Sequence, residues 1–229
     1  MDVFWGPGFI VVGVFYLAAS NGTAGPRAWL VFGLTTLWAA RLALHLGLRN
    51  FGAAEDFRYR SWREQSGRSF WWISLFKIFL LQAVVLWIVS SPLLLAHSEN
   101  ARRELALFDV IGVAVFFFGL AWEVLADLQL ERFKRDPNTT GRILNTGLWG
   151  LSRHPNYFGE AVLWWGLGLL AAPAAGWMAA IGPAMITFLL MKVSGVAMLD
   201  AALVERRPGY DEYIRSTPAF FPRFPMKSS

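Results

Sequence analysis

Apolar residues gather into six runs, each close to the length of a membrane-spanning helix. The runs cover residues 3–20, 28–48, 70–96, 105–130, 157–172 and 177–199. A helix needs about 20 predominantly apolar residues to cross a bilayer. The pattern therefore predicts an all-α fold, a polytopic membrane bundle of about six transmembrane helices. The fifth run is short, so we expect a tilt, a re-entrant start or shielding by neighbouring helices there.

Composition agrees with this class. The chain has 229 residues, of which 16% are charged, whereas about 25% are charged in an average soluble domain. It has no cysteine and only three widely spaced histidines, so we predict no metal site and no disulfide. No internal repeat or low-complexity stretch divides the sequence, which indicates one integral membrane domain over residues 1–229.

Basic residues indicate the orientation of the bundle. With six spans, both termini face the same side as the second-to-third and fourth-to-fifth connections. Those regions carry fifteen Lys and Arg residues, against three on the opposite side. Short loops rich in Lys and Arg stay in the cytoplasm, so we predict cytoplasmic termini, in a bacterial inner membrane. The net charge of +5 needs no nucleic acid to explain it, because these loops lie against anionic headgroups.

Ionisable residues inside the apolar runs are candidate functional groups, because each costs roughly 3 kcal/mol at the bilayer centre. Arg41, His45 and Arg49 follow at intervals of four residues and form one stripe on the second helix. Glu123 and Asp127 share the same spacing on the fourth. Two carboxylates on one face repel each other unless donors meet them. We therefore expect a polar cavity that opens to the cytoplasm and receives a water-soluble, charged ligand.

Three more acids stand at the ends of apolar runs: Asp2, Glu160 and Asp200. The loop over residues 131–155 combines basic residues with Asn, Thr and Gly, and so offers charge-assisted donors to phosphates. It contains no Walker or Rossmann pattern. A simple positive-inside loop would have the same composition, so this alternative stays open. Lys77 and Lys192 have stems long enough to reach the interface, and snorkelling explains them.

Two segments carry a resemblance to a known family. "DLQLERFKRDPNTTGRILNTGLWGLSRHPNYFGEAVLWWG" (127–166) and "VSGVAMLDAALVERRPGYDEYIRSTPAFFPRFP" (193–225) resemble the steroid 5-alpha-reductase family (3-oxo-5-alpha-steroid 4-dehydrogenases). The likeness is greatest to its bacterial branch, formerly called domain of unknown function 1295. It covers most of the chain, from "DVFWG" near the start.

The resemblance implies NADPH-dependent reduction of the carbon–carbon double bond of a lipophilic enone such as a Δ4-3-ketosteroid. A hydride reaches the β carbon, an acid polarises the ketone oxygen, and a proton reaches the α carbon. The substrate would enter from the bilayer and the cofactor from the cytoplasm. Residues 131–157 and 201–229 would be cytoplasmic segments that cover the cofactor. The expected partners are thus a lipophilic small molecule and membrane lipid, with no nucleic acid and no obligate protein partner.

The same resemblance implies the site residues. Those expected to bind the cofactor are Arg41, Arg49, Glu123, Asp127, Lys134, Arg142, His154, Asn156, Tyr157, Glu160, Asp200 and Tyr213. Catalytic roles fall to Asp2, Tyr59 and Glu160. A family tyrosine near the substrate ketone aligns with Trp38, which has no phenolic proton, so Tyr59 or Tyr16 could replace it.

Two other functions remain open. The isoprenylcysteine carboxyl methyltransferases have a similar Arg-His-Pro-x-Tyr-x-Gly stretch, and this reading would make the ligand S-adenosylmethionine. A non-catalytic protein that binds sterols or lipids would keep the cavity without the nicotinamide contacts. Asn156, Glu160 directly after Gly159, and the long basic loop favour the reductase.

Overall fold

The computed structural model describes residues 4–51, 67–98, 105, 107–193, 196, 200, 203–204 and 207–223, and every regular element in these ranges is a helix. The α-helices are α1 (Trp5–Ala19), α2 (Pro26–Asn50), α3 (Phe70–Ser74), α4 (Leu81–Val89), α5 (Ser91–Leu95), α6 (Leu107–Arg135), α7 (Pro155–Ala175), α8 (Ile181–Phe188) and α9 (Tyr210–Ser216). The helices α1 to α8 lie within the predicted apolar runs or extend a few residues beyond them, whereas α9 follows the last run. The predicted all-α class is confirmed.

Among the described residues, three helical stretches are long and apolar enough to cross a membrane, namely Pro26–Arg49, Leu107–Arg135 and Pro155–Val193. α1 is a shorter apolar helix. The chain is therefore an integral membrane protein by the length and composition of its helices. The third predicted run is not one continuous α-helix: a π-helical turn over Leu75–Leu80 follows α3, and α5 begins after Ser90 with a proline in its first turn.

The last stretch folds back on itself. Gly176 has a φ of 56°, which favours glycine. A Cβ built on Gly168 would lie 2.9 Å from the carbonyl oxygen of Ala179 and 2.8 Å from Cγ of Pro183. In a straight helix, residues 168 and 183 would be about 22 Å apart. The chain therefore reverses after α7, and α8 packs beside it. The short fifth run is thus shielded, with buried positions on α7 from Pro155 to Ala171.

α6 and α7 pack backbone to backbone through paired glycines. A Cβ on Gly119 would lie 2.4 Å from the amide nitrogen of Leu163, and one on Gly159 would lie 2.6 Å from that of Glu123. Gly112 and Gly166, each about two helical turns from Gly119 and Gly159 on the same helices, make the same kind of close contact. Small residues allow helices in a membrane to approach this closely. The contact sets the backbone of Glu123 directly beside the first turns of α7.

α2 and α6 are joined near both ends by ion pairs with the same separation in sequence. Arg27 donates to both carboxylate oxygens of Asp109, at 2.8 and 2.7 Å, and both side chains are buried. Arg41 pairs with Glu123 in the other half of these helices, and both pairs are 82 residues apart. Equal offsets are what two parallel helices in register produce. The pairs therefore fix the position of α2 along α6.

Candidate functional site

A guanidinium group bridges the two carboxylates that the spacing on α6 predicts. Nη1 of Arg41 donates to Oε1 of Glu123 at 2.5 Å, and Nη2 donates to Oδ2 of Asp127. Nε2 of His45 lies 3.6 Å from the same Asp127 oxygen. Both acids are buried. The stripe on α2 thus supplies the donors that the two carboxylates require, so the pair is tolerated within the bundle.

α7 contributes the other members of this cluster. Nδ2 of Asn156, in its first turn, donates to Oδ1 of Asp127 at 3.2 Å. Glu160, one turn later, is buried within electrostatic range of Asp127 and Arg41. We call this set the polar cluster: Arg41, His45, Glu123, Asp127, Asn156 and Glu160. Three helices therefore enclose two bridged carboxylates, an amide and a third carboxyl group.

One buried oxygen of the polar cluster has no partner among the described residues. Oε2 of Glu123 is buried and accepts no hydrogen bond within the part of the chain that the structure describes. Most buried polar atoms in proteins are paired, and an unpaired carboxylate oxygen is a strong acceptor. A ligand that brings an N–H group to this position would satisfy it.

Three cations lie next to the polar cluster. Lys134, near the end of α6, is within electrostatic range of Arg49, Arg207 and Asp127. The cations come from α2, α6 and the segment before α9. We call Arg49, Lys134 and Arg207 the basic group. Like charges gathered on one surface favour a polyanion, so the group is suited to phosphates beside the mouth of the cluster.

The loop after α6 forms a folded surface. Its first turn is capped by Asp136, whose side chain accepts from the amide of Asn138 at 2.9 Å. Arg142 is exposed, and its backbone amide donates to the carbonyl oxygen of Thr139. An open cavity of about 450 Å³ lies between this loop and α6. Its wall includes Gln129, Arg132, Phe133, Asp136, Thr139 and Leu144.

A second network holds the chain just before α7. Asp200 accepts from Nη2 of Arg153 at 2.7 Å and from the hydroxyl of Tyr210 at 2.9 Å. Nε2 of His154 lies 3.0 Å from Oδ1 of Asp200, the oxygen that also accepts from Tyr210, while Arg153 donates to Oδ2. Burial opposes ionisation of Asp200, but the hydrogen bonds from His154, Arg153 and Tyr210 outweigh it and hold its pKa well below the usual range. Burial and the Asp200 carboxylate raise the pKa of the Tyr210 hydroxyl above its ordinary value.

The same arginine anchors the C-terminal segment. Nη1 of Arg153 donates to the carbonyl oxygens of Thr217, at 2.5 Å, and Ile214, at 3.1 Å. The hydroxyl of Tyr213 donates to the carbonyl oxygen of Trp149. We call these contacts together the C-terminal network. They fasten residues 207–223 across the start of α7, so this segment positions the helix that carries Asn156 and Glu160.

The structure thus separates the predicted site residues into groups. Arg41, Glu123, Asp127, Asn156 and Glu160 meet in the polar cluster, and Arg49 and Lys134 lie beside it. His154, Asp200 and Tyr213 belong to the C-terminal network instead. The ring of Tyr157 stacks on that of His154, with centroids 5.6 Å apart, while Arg142 lies exposed on the loop.

The predicted catalytic residues Asp2 and Tyr59 lie outside the described residues. Tyr16, the alternative acid, packs against His97 with ring centroids 6.1 Å apart. It lies near the end of α1 that leads to α2, at the opposite end of the bundle from Arg41.

Four contributors among the described residues were not among the predicted site residues: His45, Arg153, Arg207 and Tyr210. His45 stands on the same stripe as Arg41 and could have been included from its spacing alone. Arg153 and Arg207 carry no local signal, because their partners lie far away in sequence. No group of three metal-ligating side chains occurs among the residues that the structure describes.

Comparisons with known proteins find similarity to a family and to two individual proteins. A family model described as "Protein of unknown function (DUF1295)" matches residues 1–217. An uncharacterized protein of Schizosaccharomyces pombe is 30% identical over 248 aligned positions, which cover 94% of this chain and 67% of that protein. Steroid 5-alpha-reductase DET2 of Arabidopsis thaliana is 38% identical over 68 residues, 29% of this chain and 26% of the plant protein. No solved structure matches.

Proposed function

The chain belongs to the family described as "Protein of unknown function (DUF1295)", and we propose that it reduces the carbon–carbon double bond of a lipophilic enone with NADPH. A Δ4-3-ketosteroid is the type substrate. This chain is a membrane protein, and part of it is similar to a steroid 5-alpha-reductase. The proposal extends that similarity to a specific reaction.

The observation that carries the proposal is the polar cluster itself. Two buried carboxylates share one guanidinium, and the amide of Asn156 donates to one of them inside an apolar bundle. Such groups are costly within a membrane and mark functional sites. A reaction between a charged dinucleotide and a lipid-soluble ketone requires a polar site that is reached through apolar helices, and the cluster provides one.

The residues fit a nicotinamide cofactor. Oε2 of Glu123 is a buried acceptor without a partner among the described residues, and a carboxamide offers N–H donors to such an oxygen. Asn156 directs its Nδ2 at Asp127, so its amide oxygen points to the other side as a second acceptor. The basic group would hold the phosphates by charge-assisted hydrogen bonds. When bound, NADPH supplies the hydride.

The chain's own residues then place and protect the reacting groups. Arg41 donates to both Glu123 and Asp127 and so holds the two carboxyl groups in place beside the cofactor site. The C-terminal network holds the first turn of α7 in place, and therefore Asn156. The apolar helices exclude water, which strengthens the electrostatic contacts inside. Overall, the β carbon gains a hydride and the α carbon gains a proton, leaving NADP⁺ and a saturated ketone.

Transfer of a label tests the proposal. The purified protein in detergent would be given NADPH deuterated at the nicotinamide position that donates the hydride, together with a Δ4-3-ketosteroid. We expect one deuterium in the saturated product, detected by mass spectrometry, and stoichiometric loss of NADPH absorbance. Binding of S-adenosylmethionine with no NADPH oxidation for any enone would contradict the proposal.

A further inference from the structure

A second polar site lies on the side of α6 that faces away from the polar cluster. It is the open cavity of about 450 Å³ between α6 and the loop after it, with Gln129 and Arg132 in its wall. These two residues follow Asp127 by two and five positions. At about 100° per residue, they lie roughly 140–160° around the helix axis from Asp127. The cavity is therefore separate from the carboxylates and the amide of the polar cluster.

The cavity lies at the depth of lipid headgroups. α6 has 29 residues and is about 43 Å long, whereas the hydrocarbon core of a bilayer is about 30 Å thick. Its first residues, Leu107 and Phe108, are exposed and apolar. Its last turn is basic, with Arg132, Lys134 and Arg135. The excess length therefore extends beyond the hydrocarbon at the end of α6 that lines the cavity.

The wall of the cavity carries one cation and one anion, Arg132 and Asp136, and both are exposed. The neighbouring Arg135 pairs with Glu131 at 2.5 Å, whereas Arg132 pairs with no carboxylate that the structure describes. Asp136 accepts from the backbone and side-chain nitrogens of Asn138 with a single oxygen, Oδ1. The guanidinium and the second carboxylate oxygen are thus left for a ligand that carries both charges.

The order of the two charges matches that in a phospholipid headgroup. Arg132 precedes Asp136 by about 6 Å along the helix axis and lies closer to the hydrocarbon. In a phospholipid, the phosphate is attached to the glycerol on the membrane side, and the ammonium group follows it outward. Arg132 therefore lies at the level of the phosphate and Asp136 at the level of the ammonium. Guanidinium and phosphate groups form strong charge-assisted hydrogen bonds.

An apolar stripe on α6 continues from the cavity towards the bilayer centre. Leu125 and Phe118 precede Arg132 by seven and fourteen residues, so they share nearly the same face of the helix. Their exposed fractions are 53% and 54%. The stripe from Phe118 to Arg132 is about 21 Å long, whereas the hydrocarbon of one leaflet is about 15 Å thick. An acyl chain can therefore follow this stripe while its headgroup occupies the cavity.

We propose that the cavity binds the headgroup of an aminophospholipid, with its phosphate on Arg132 and its primary ammonium on Asp136. This inference is independent of enone reduction. A primary ammonium has three N–H donors, and Asp136 and the hydroxyl of Thr146, also in the wall, supply acceptors. The trimethylated ammonium of choline has no N–H group and is instead recognised by aromatic cages. Phe133 is the single aromatic ring among the described lining residues, so the site favours ethanolamine.

Native mass spectrometry of the full chain in detergent tests the specificity. The probes are dioleoyl phosphatidylethanolamine, phosphatidylcholine and phosphatidylglycerol, which have the same acyl chains. The variants are Arg132→Gln and Asp136→Asn, with Arg135→Gln as the matched control, because that cation is already paired with Glu131. All three positions are exposed, and asparagine at 136 retains a side-chain oxygen for the turn.

We expect the parent protein to bind the ethanolamine lipid more tightly than the other two. Arg132→Gln should weaken binding of the ethanolamine and choline lipids alike by about 2- to 12-fold, the range of a net hydrogen bond. Asp136→Asn should instead lower the ratio of ethanolamine to choline affinity by about the same factor. Arg135→Gln should change neither quantity.

A single introduced thiol tests the location, because the chain has no cysteine. Leu144→Cys places the thiol in the cavity wall, and Thr140→Cys places it on the same loop outside the described lining. A water-soluble maleimide should modify the first more slowly in phosphatidylethanolamine nanodiscs than in phosphatidylcholine nanodiscs, and the second equally in both. Soluble glycerophosphoethanolamine, which has the headgroup without acyl chains, should give no protection at the same concentration.

Three outcomes overturn the inference. They are equal affinities of the parent protein for the ethanolamine and choline lipids, an equal loss of binding in Arg135→Gln and Arg132→Gln, and equal modification of Leu144→Cys in both kinds of nanodisc. Protection by glycerophosphoethanolamine alone would identify a soluble phosphate compound as the ligand and would overturn the assignment to a lipid. None of these measurements uses NADPH or an enone, so failure of the reductase proposal would be observed separately, as absent hydride transfer.

Discussion

Asn156 donates its side-chain amide to Asp127 at 3.2 Å, across the close contact between α7 and α6. The hydrogen bond fixes which end of the amide faces the ligand. It also joins the first turn of α7 to the carboxylate pair that Arg41 bridges. A ligand that hydrogen-bonds to the amide of Asn156 therefore contacts a side chain whose orientation is set by Asp127 on α6.

This relationship predicts the effect of two substitutions in the polar cluster. Asn156→Ala and Glu160→Gln should each leave the protein folded and change NADPH affinity modestly. We expect enone reduction to fall on the order of a hundredfold or more, because rate depends on the placement of the reacting carbon while the phosphates supply most binding energy. Steady-state kinetics with NADPH titration would measure both effects. Asn145→Ala, an exposed loop position, is the control. Turnover at the parent rate in both variants would contradict the proposed position of the nicotinamide beside Asn156 and Glu160.

The basic group and the loop after α6 predict a preference between NADPH and NADH. NADPH should bind more tightly than NADH, because the additional phosphate gains charge-assisted hydrogen bonds worth roughly 1.5 to 3 kcal/mol each. Arg142→Ala should raise the NADPH concentration required with less effect on the saturated rate. Calorimetric titration with the two dinucleotides decides the first point. Equal affinities for NADPH and NADH would show that no cation of the protein binds the additional phosphate.

The close contact of α6 and α7 predicts a large difference between two glycine substitutions. In Gly159→Ala the new Cβ would lie 2.6 Å from a backbone nitrogen, so the helices must separate, at a cost of roughly 1–3 kcal/mol. Gly33→Ala adds a methyl group in open space and should be neutral or stabilising by up to about 1 kcal/mol. Thermal unfolding in one detergent compares them. A melting temperature unchanged by Gly159→Ala would mean that the helices are not held this closely.

The C-terminal network predicts a dependence of stability on pH. Asp200 has a folded pKa below its unfolded value, which is about 3.9. Its stabilising contribution is therefore present above about pH 4 and is lost as pH falls through the lower folded pKa. Asp200→Asn should lower the melting temperature at pH 7, since the pair with Arg153 is largely but not fully buried and breaking a fully buried pair costs roughly 3–5 kcal/mol, which is an upper bound here. The difference from the parent should shrink below about pH 4.

The matched control for this experiment is Asp211→Asn. Asp211 forms an exposed pair with Arg215, four residues along α9, and such pairs contribute about 0–1 kcal/mol. A similar loss of stability in both variants would show that Asp200 is no more than a surface charge.

Orientation in the membrane is tested by reporter fusions. We predict that fusions at Ser229 and within residues 138–146 report the cytoplasm, and that one near Ser98 reports the opposite side, because Lys and Arg are concentrated in the former loops. Alkaline phosphatase and green fluorescent protein give complementary signals. A C-terminal fusion active outside the cytoplasm would contradict the predicted topology.

The sequence alone determined the class of the protein and the approximate limits of its helices. Membrane insertion depends on hydrophobicity summed over about 20 neighbouring residues, and helical backbone hydrogen bonds are local. Membrane insertion and helix formation can therefore both be predicted from consecutive positions in the sequence. The spacing of Glu123 and Asp127, and that of Arg41 and His45, likewise predicted two polar faces, because a helix places residues four apart on one side.

Only the tertiary structure decided which faces meet. Arg41 lies 82 residues from Glu123 in sequence, and Arg153 lies 47 residues from Asp200, so no local pattern could join them. These pairings depend on the rotation of each helix about its axis and on how closely the backbones approach. Paired glycines on α6 and α7 set that approach, because only a residue without Cβ allows the backbone of Glu123 to reach Gly159. Packing between helices thus separated the polar cluster from the C-terminal network, although His154 and Asn156, which belong to different groups, stand only two positions apart in the sequence.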